Sequence, residues 1–237
     1  MFLIPGLALG SFVNVVAARV PVGRSIVSPG SACMSCGTPI AWYDNVPVLS
    51  WVVLRGRCRS CGAPISAGYP LVELGTALLV AGCVWKFGFS WDAAVAALFC
   101  CALVAVTATD LEHRVVPNRI VVPAAVGVLA AQTLLHPSAE WALAALGAGA
   151  ALLACALAYP AGMGMGDVKL GALLGAMLGR WVLVAVVFGV FAALVPAVLL
   201  LFREGSRARK QALPFAPFLA LGGVVALFAG PELYRAL

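Results

Sequence analysis

The sequence predicts an all-α integral membrane protein of about eight transmembrane helices, with a small cytoplasmic zinc-knuckle domain between the first and second. Three observations predict it. Hydrophobic residues make up 63% of the 237 and charged residues only 10%. Apolar runs of about 17–22 residues recur along the chain, a length that suits helices and not the roughly ten-residue alternating strands of a barrel. A single stretch, residues 22–68, departs abruptly from this pattern and is rich in Arg, Ser, Gly, Pro and Cys.

The first run, 2–18, carries Pro5, Gly6 and Gly10 and ends at Arg19-Val20-Pro21, so 1–21 is read as the first transmembrane helix. No charged n-region or small-residue cleavage site accompanies it, and it is expected to be a retained span and not a signal peptide. The chain begins already inside this span, so either a few leading residues are expected to be missing or the start to be misassigned. Residues 22–68 form the extramembrane domain. About 47 residues bury little core, and chains of that size need a metal or disulfides. Further apolar runs follow at 69–85, 91–109, 120–135, 141–159, 168–178, 181–202 and 213–230, and 69–237 is read as the membrane-embedded domain. The sixth of the eight runs is short and reads as a half-helix starting at a glycine break.

Charge sets the topology. The net charge of +6 comes without a polybasic tract interleaved with aromatics, so it is read as membrane orientation and no nucleic-acid partner is expected. Of the 15 Lys and Arg, all but Lys86, Arg180 and Arg235 fall in one set of alternate loops. That set is assigned to the cytoplasm, with both termini outside. The cysteine domain, the loop after Asp110 and the glycine break then share the cytoplasmic side. Residues 203–210 read as a basic juxtamembrane loop touching anionic lipid.

Cys33-Met34-Ser35-Cys36-Gly37 and Cys58-Arg59-Ser60-Cys61-Gly62 are two matched knuckles with 21 residues between Cys36 and Cys58. Cys33, Cys36, Cys58 and Cys61 suit a structural zinc with no open coordination position. Two disulfides are the alternative, disfavoured by a reducing cytoplasm; a redox dithiol is a third. Cys83, Cys100, Cys101 and Cys155 lie in apolar runs and read as packing residues.

The glycine break is Gly162-Met163-Gly164-Met165-Gly166-Asp167-Val168-Lys169. Irregular backbone at membrane depth is tolerated where it lines a cavity, and an acid there marks a functional site. The competing reading is a short turn with an acid at a helix N-terminus. Asp110 ends the third span on the same side, and its own alternative is a solvated loop acid near Arg114. Two carboxyls brought together share one proton, so one takes a proton from water while the other polarises a carbonyl, the chemistry of aspartic proteases. Lys169 is expected either to act on Asp167 or to reach for the interface. Glu73 is read as active-site support, against the alternative of a headgroup-level acid. Glu112 and His113 read as loop residues.

These residues resemble the bacterial prepilin peptidases, bifunctional leader peptidase and N-methyltransferase enzymes of the GxGD aspartic protease family A24. The likeness runs through Gly10-Ser11-Phe12-Val13-Asn14, both knuckles, Asp44-Asn45-Val46-Pro47 and Tyr69-Pro70-Leu71-Val72-Glu73. It continues through the Asp110 loop, Gly164-Met165-Gly166-Asp167-Val168-Lys169 and Pro214-Phe215-Ala216-Pro217-Phe218. The resemblance implies that Asp110 and Asp167 are the catalytic pair; Gly164, Gly166, Lys169 and Glu73 are expected to support them. It implies a bacterial inner-membrane enzyme that cuts a basic leader from prepilins or pseudopilins on the cytoplasmic side. The new N-terminus would then be methylated with S-adenosylmethionine, whose binding residues no motif identifies. The chain departs from the family at Asn118, where Asp is common, and at Ala216, where Gly is usual. Two further readings stand beside this one: a peptidase without methyl transfer, and a non-enzymatic transporter or assembly protein whose acids carry ions.

Overall fold

The structure, a computed structural model, describes residues 3–159, 163–204 and 213–234. Gly162 of the glycine break and residues 205–210 of the expected basic loop lie outside the described residues. Nine α-helices stand among the described residues: α1 (Leu3–Arg19), α2 (Leu49–Val53), α3 (Gly68–Phe87), α4 (Trp91–His113), α5 (Asn118–Leu135), α6 (Glu140–Ala158), α7 (Met165–Leu178), α8 (Val182–Glu204) and α9 (Ala216–Tyr234). Among the described residues each of the eight apolar runs falls mainly in one helix, α2 being a short extra one within 22–68. Five helical stretches are long and apolar enough to cross a membrane: α3, α4, α5, α6 and the continuous stretch Met165–Arg203, while α1 and the first part of α9 are apolar but shorter.

Local chemistry sets the breaks. Ser90 caps α4, its Oγ accepting from the Ala93 N–H at 3.2 Å. α4 stops where Arg114 turns left-handed at φ 54° and donates its N–H to the Asp110 carbonyl at 2.9 Å. Pro117 then opens α5. α7 starts at Met165, ahead of the expected run, with Gly164 extended as its cap. Its 14 residues cover about 21 Å at 1.5 Å each, short of a ~30 Å hydrocarbon core. Neighbouring helices shield it instead, and Leu170, Leu173 and Leu174 are fully buried. A positive φ at Gly179 leads into a 3-10 turn and then α8. There the Glu140 carboxylate accepts from Arg180 N at 3.0 Å and Nε at 3.2 Å.

Small residues bring the helices together, as membrane helices require in the absence of a hydrophobic drive between them. Antiparallel α1 and α3 meet at Gly6 and Gly10, where a Cβ on Gly10 would lie 2.6 Å from the Glu73 Cα. α6 and α7 meet at Gly175 against Ala144, and α8 and α9 at Gly222 against Ala185. The core lies among α4, α7 and α9, built on Phe99, Leu103, Val106, Leu170, Leu174 and Leu219. Leu146, Leu183, Phe191 and Phe202 point outward.

The alternating directions sort the two ends. Exposed Trp85, Phe89 and Trp91 form an aromatic belt where α3 turns into α4. Asp92 binds His136 at 2.7 Å nearby, and Lys86 Nζ donates to the carbonyls of Leu227 and Phe228 at 2.7 and 2.9 Å. Pro231 has no N–H to offer the Leu227 carbonyl, and Lys86 takes its place. The opposite end carries residues 22–68, the C-terminal ends of α1 and α4 and the N-terminal ends of α3, α5, α7 and α9. Asp110 and Asp167 are at that end.

Candidate active site, metal centre and cavity

Asp110 and Asp167 are both buried, at 7% and 8% exposure, although each carries a charge-bearing group in an apolar bundle. Asp110 sits in the last turn of α4, the carbonyl end, where a helix does not favour an anion. The first turn of α9 supplies what that position lacks. The Ala216 N–H donates to Asp110 Oδ2 at 3.2 Å, and the Ala216 side chain is fully covered. The proline-bracketed motif starts α9 here, and one of its unpaired N–H groups finds an acceptor. Asp167 occupies the first turn of α7, where its N–H donates to the Gly164 carbonyl at 3.1 Å. Gly164 lies beside the carboxylate: a Cβ there would be 3.8 Å from Asp167 Oδ2.

Gly166 closes the gap between the two segments. A Cβ on it would lie 2.6 Å from the Val116 Cβ, so α7 presses directly on the loop that follows Asp110. The two carboxyl groups are thereby close enough to act on one another electrostatically. Arg114 is the other charge that acts on Asp110. Lys169 goes elsewhere, its Nζ donating to Asn118 Oδ1 at 2.6 Å. This contact ties α7 to the start of α5, and where the family commonly has Asp it would be an ion pair. Glu73 is turned toward the cysteine segment, its Oε2 accepting from the Val48 N–H at 2.7 Å. Val48 is the centre of a γ-turn with φ 61° and ψ −49°, closed by Leu49 N to Pro47 O at 2.6 Å. A β-branched residue in that region costs about 1–3 kcal/mol, and the Glu73 carboxylate holds it there. The sequence reading assigned no role to the Ala216 amide, Val116 or Asn118. Only the first left a signal, in the prolines around it.

The four knuckle cysteines converge. Their sulfurs all lie within 4.8 Å of one another, and Cys33 Sγ to Cys61 Sγ is 3.8 Å. Sulfurs around a tetrahedral zinc at ~2.3 Å stand about 3.8 Å apart, so the set fits that ion. The two knuckles have one backbone pattern. Cys33 N–H donates to Thr38 O at 2.9 Å and Cys58 N–H to Ala63 O at 2.8 Å, while Gly37 and Gly62 turn at φ 72° and 70°. Isolated bridges between Ala32 and Pro39 and between Arg57 and Pro64 close them equivalently. Amides of Cys36 and Ser35 hold the Cys33 thiol below its usual range, those of Cys61 and Ser60 do so for Cys58, and the Thr38 hydroxyl and amide for Cys36. Cys61 is pushed up to about 11: the Ala63 amide favours its thiolate, but Cys36, burial, Cys58 and Cys33 outweigh it. A divalent cation bound among the four sulfurs would supply the counter-charge that a fourth thiolate needs.

Between this segment and the ends of α1 and α3 lies a cavity of about 700 Å³, walled by Asn14, Arg24, Asp44, Trp51, Tyr69 and Glu73 among others. Asp44 and Arg59 pair across two bonds of 2.6 and 2.7 Å at its edge. Arg59 lies 5.7 Å from the Tyr43 ring centroid. Trp51 is fixed, donating from Nε1 to Ile65 O at 3.1 Å, with its ring packed on Gly56.

Comparison with known proteins matches residues 4–87 to the bacterial peptidase A24 N-terminal domain and residues 97–201 to the type IV leader peptidase family. A prepilin leader peptidase/N-methyltransferase of Bacillus subtilis is 37% identical over 233 residues, covering 96% of this chain and 93% of that protein. The protein of the same name from Pseudomonas aeruginosa is 34% identical, over 97% of this chain and 90% of its own length. The one from Myxococcus xanthus is 41% identical over 84% of this chain, which spans 62% of that relative's length. No solved structure matches the chain.

Proposed function

Because the chain belongs to the type IV leader peptidase family, we propose that it removes the basic leader from prepilins or pseudopilins and then methylates the new N-terminus. The observation that supports this most directly is that Gly166 packs against Val116, in the loop after Asp110, so that two buried carboxyls stand at the same end of the bundle. A prepilin enters as an apolar helix with its basic leader left in water, and its scissile bond lies at that depth. The positive-inside bias makes that end cytoplasmic.

Two carboxyls brought together over a substrate do not both ionise, so the pair carries one proton in the reaction. One carboxylate takes a proton from water while the protonated partner donates to the scissile carbonyl oxygen. Water attacks the carbonyl carbon, and the tetrahedral intermediate collapses as the C–N bond breaks and the leaving amine takes a proton. The Ala216 amide orients the Asp110 carboxylate, and Gly166 lets Asp167 approach it. Residues 22–68 form a zinc-held domain associated with methyl transfer, in which Cys33, Cys36, Cys58 and Cys61 leave the metal no open position. S-adenosylmethionine, when bound, supplies a methyl group on a cationic sulfur.

The test is mass spectrometry of a prepilin-like substrate in liposomes with the purified chain and S-adenosylmethionine, beside Asp110→Asn and Asp167→Asn. Loss of the leader and gain of one methyl group are expected, with no cleavage by either variant. Full cleavage by a variant would refute the assignment.

A further inference from the structure

We propose that the cavity between the knuckle segment, α1 and α3 is the S-adenosylmethionine site, with Glu73 holding the donor's cationic end and Arg24 its carboxylate. The assignment rests on the methyl-transfer half of the proposed function. The donor is a purine nucleoside joined through a sulfonium to a zwitterionic amino acid. It needs several hundred Å³, a fixed apolar wall, an anion for the sulfonium and a cation for the carboxylate. The cavity, at about 700 Å³, has each.

The charges lining it divide into spent and available groups. Asp44 and Arg59 neutralise one another. Arg19 donates to the carbonyls of Ser25 and Gly30 at 3.0 and 3.2 Å. Glu73, only 8% exposed, uses one oxygen on Val48, and its second has no partner among the described residues. The Arg24 guanidinium likewise has none. A carboxylate with one free oxygen and an exposed, unpaired guanidinium on one cavity wall suit a ligand that carries both signs. Trp51, held at both its edge and its face, offers a rigid surface for the purine. At the rim, Tyr69 lies within electrostatic reach of Glu112, two residues beyond Asp110. The cavity and the two aspartates therefore stand at the same end of the bundle.

The experiment is equilibrium dialysis of the zinc-loaded full chain against labelled S-adenosylmethionine and S-adenosylhomocysteine, its neutral thioether counterpart. Wild type is expected to bind both. Glu73→Gln keeps an acceptor for Val48 but loses the charge. It should weaken S-adenosylmethionine by about tenfold, ~1.4 kcal/mol, and the thioether by less than about threefold. Arg24→Gln, at an exposed position, should weaken both ligands by similar factors, and it decides the matter alone if Glu73→Gln loses its zinc. Equal effects of Glu73→Gln on the two ligands, or no effect of either variant, would overturn this site while leaving methyl transfer standing. A wild-type chain that binds neither ligand and cleaves without methylating would overturn the methyl-transfer reading as well.

Discussion

Gly166→Ala isolates the geometric requirement of the aspartate pair. Gly166 is not held in a positive-φ conformation, so alanine suits its backbone and the effect is purely steric. The added methyl would lie 2.6 Å from Val116 Cβ and 3.2 and 3.3 Å from its two γ-methyls. Carbon atoms rest at about 3.5–4.0 Å, so the first turn of α7 and the Val116 loop must separate by about 1 Å. Asp167 is the next residue and moves with that turn. Overpacking of this kind costs about 1–3 kcal/mol of stability, and a 1 Å misplacement of a catalytic group costs on the order of 100-fold in rate. The assay is the initial rate of leader removal in liposomes, with thermal unfolding recorded alongside. Val116→Ala in the Gly166→Ala background leaves the 2.6 Å clash and should recover little. Val116→Gly removes the opposing Cβ and should recover most of the rate, despite its own entropic cost of about 0.5–1 kcal/mol. A Gly166→Ala enzyme within twofold of wild type, or no recovery in the Val116→Gly double variant, would refute the reasoning.

Other outcomes follow from the same contacts. Cys36→Ser, or chelation of the wild type, should release the metal and make residues 22–68 sensitive to protease; unchanged zinc content and unchanged resistance would exclude a metal-held domain. Asn118→Asp should turn the Lys169 hydrogen bond into an ion pair worth at most about 1 kcal/mol, seen as a small rise in melting temperature, and a fall would show that Lys169 does not make this contact. The Arg59 guanidinium beside Asp44 holds its carboxyl below the usual value of 3.8, so the pair stabilises the knuckle segment above that pH and the contribution is lost as pH falls through the lowered value. A carboxyl-carbon NMR titration should give a midpoint under 3.8 that rises in Arg59→Gln; an ordinary midpoint in the wild type would mean the pair does not form.

The local patterns of the chain carried a good deal of this. Apolar runs, each long enough to seek a bilayer on its own, placed the helices of the membrane bundle. The one-sided distribution of Lys and Arg sorted Asp110, the glycine break and the cysteines to one end before any packing was known. CxxCG spacing is a property of a single turn, so both knuckles were legible. That the sulfurs of the two knuckles converge depends on how 21 intervening residues fold, and the Asp44, Trp51 and Glu73 contacts there are not written in any local period. The aspartates are a clearer case. Nothing in the sequence between residues 110 and 167 fixes their separation, which is set by Gly166 against Val116 and by the order in which α4, α5 and α7 pack. The helix position of Glu73 was legible and its rotation was not; packing of α1 on α3 at Gly10 turns it toward Val48. Ala216 acts through its backbone N–H, a group every residue but proline has. Composition therefore determined which segments form the membrane helices and at which end Asp110, Asp167 and the cysteines lie, because transfer to lipid is paid segment by segment. Only the tertiary structure decided which carboxyl, amide and cavity wall meet, because those contacts depend on helix rotation and close approach across long stretches of chain.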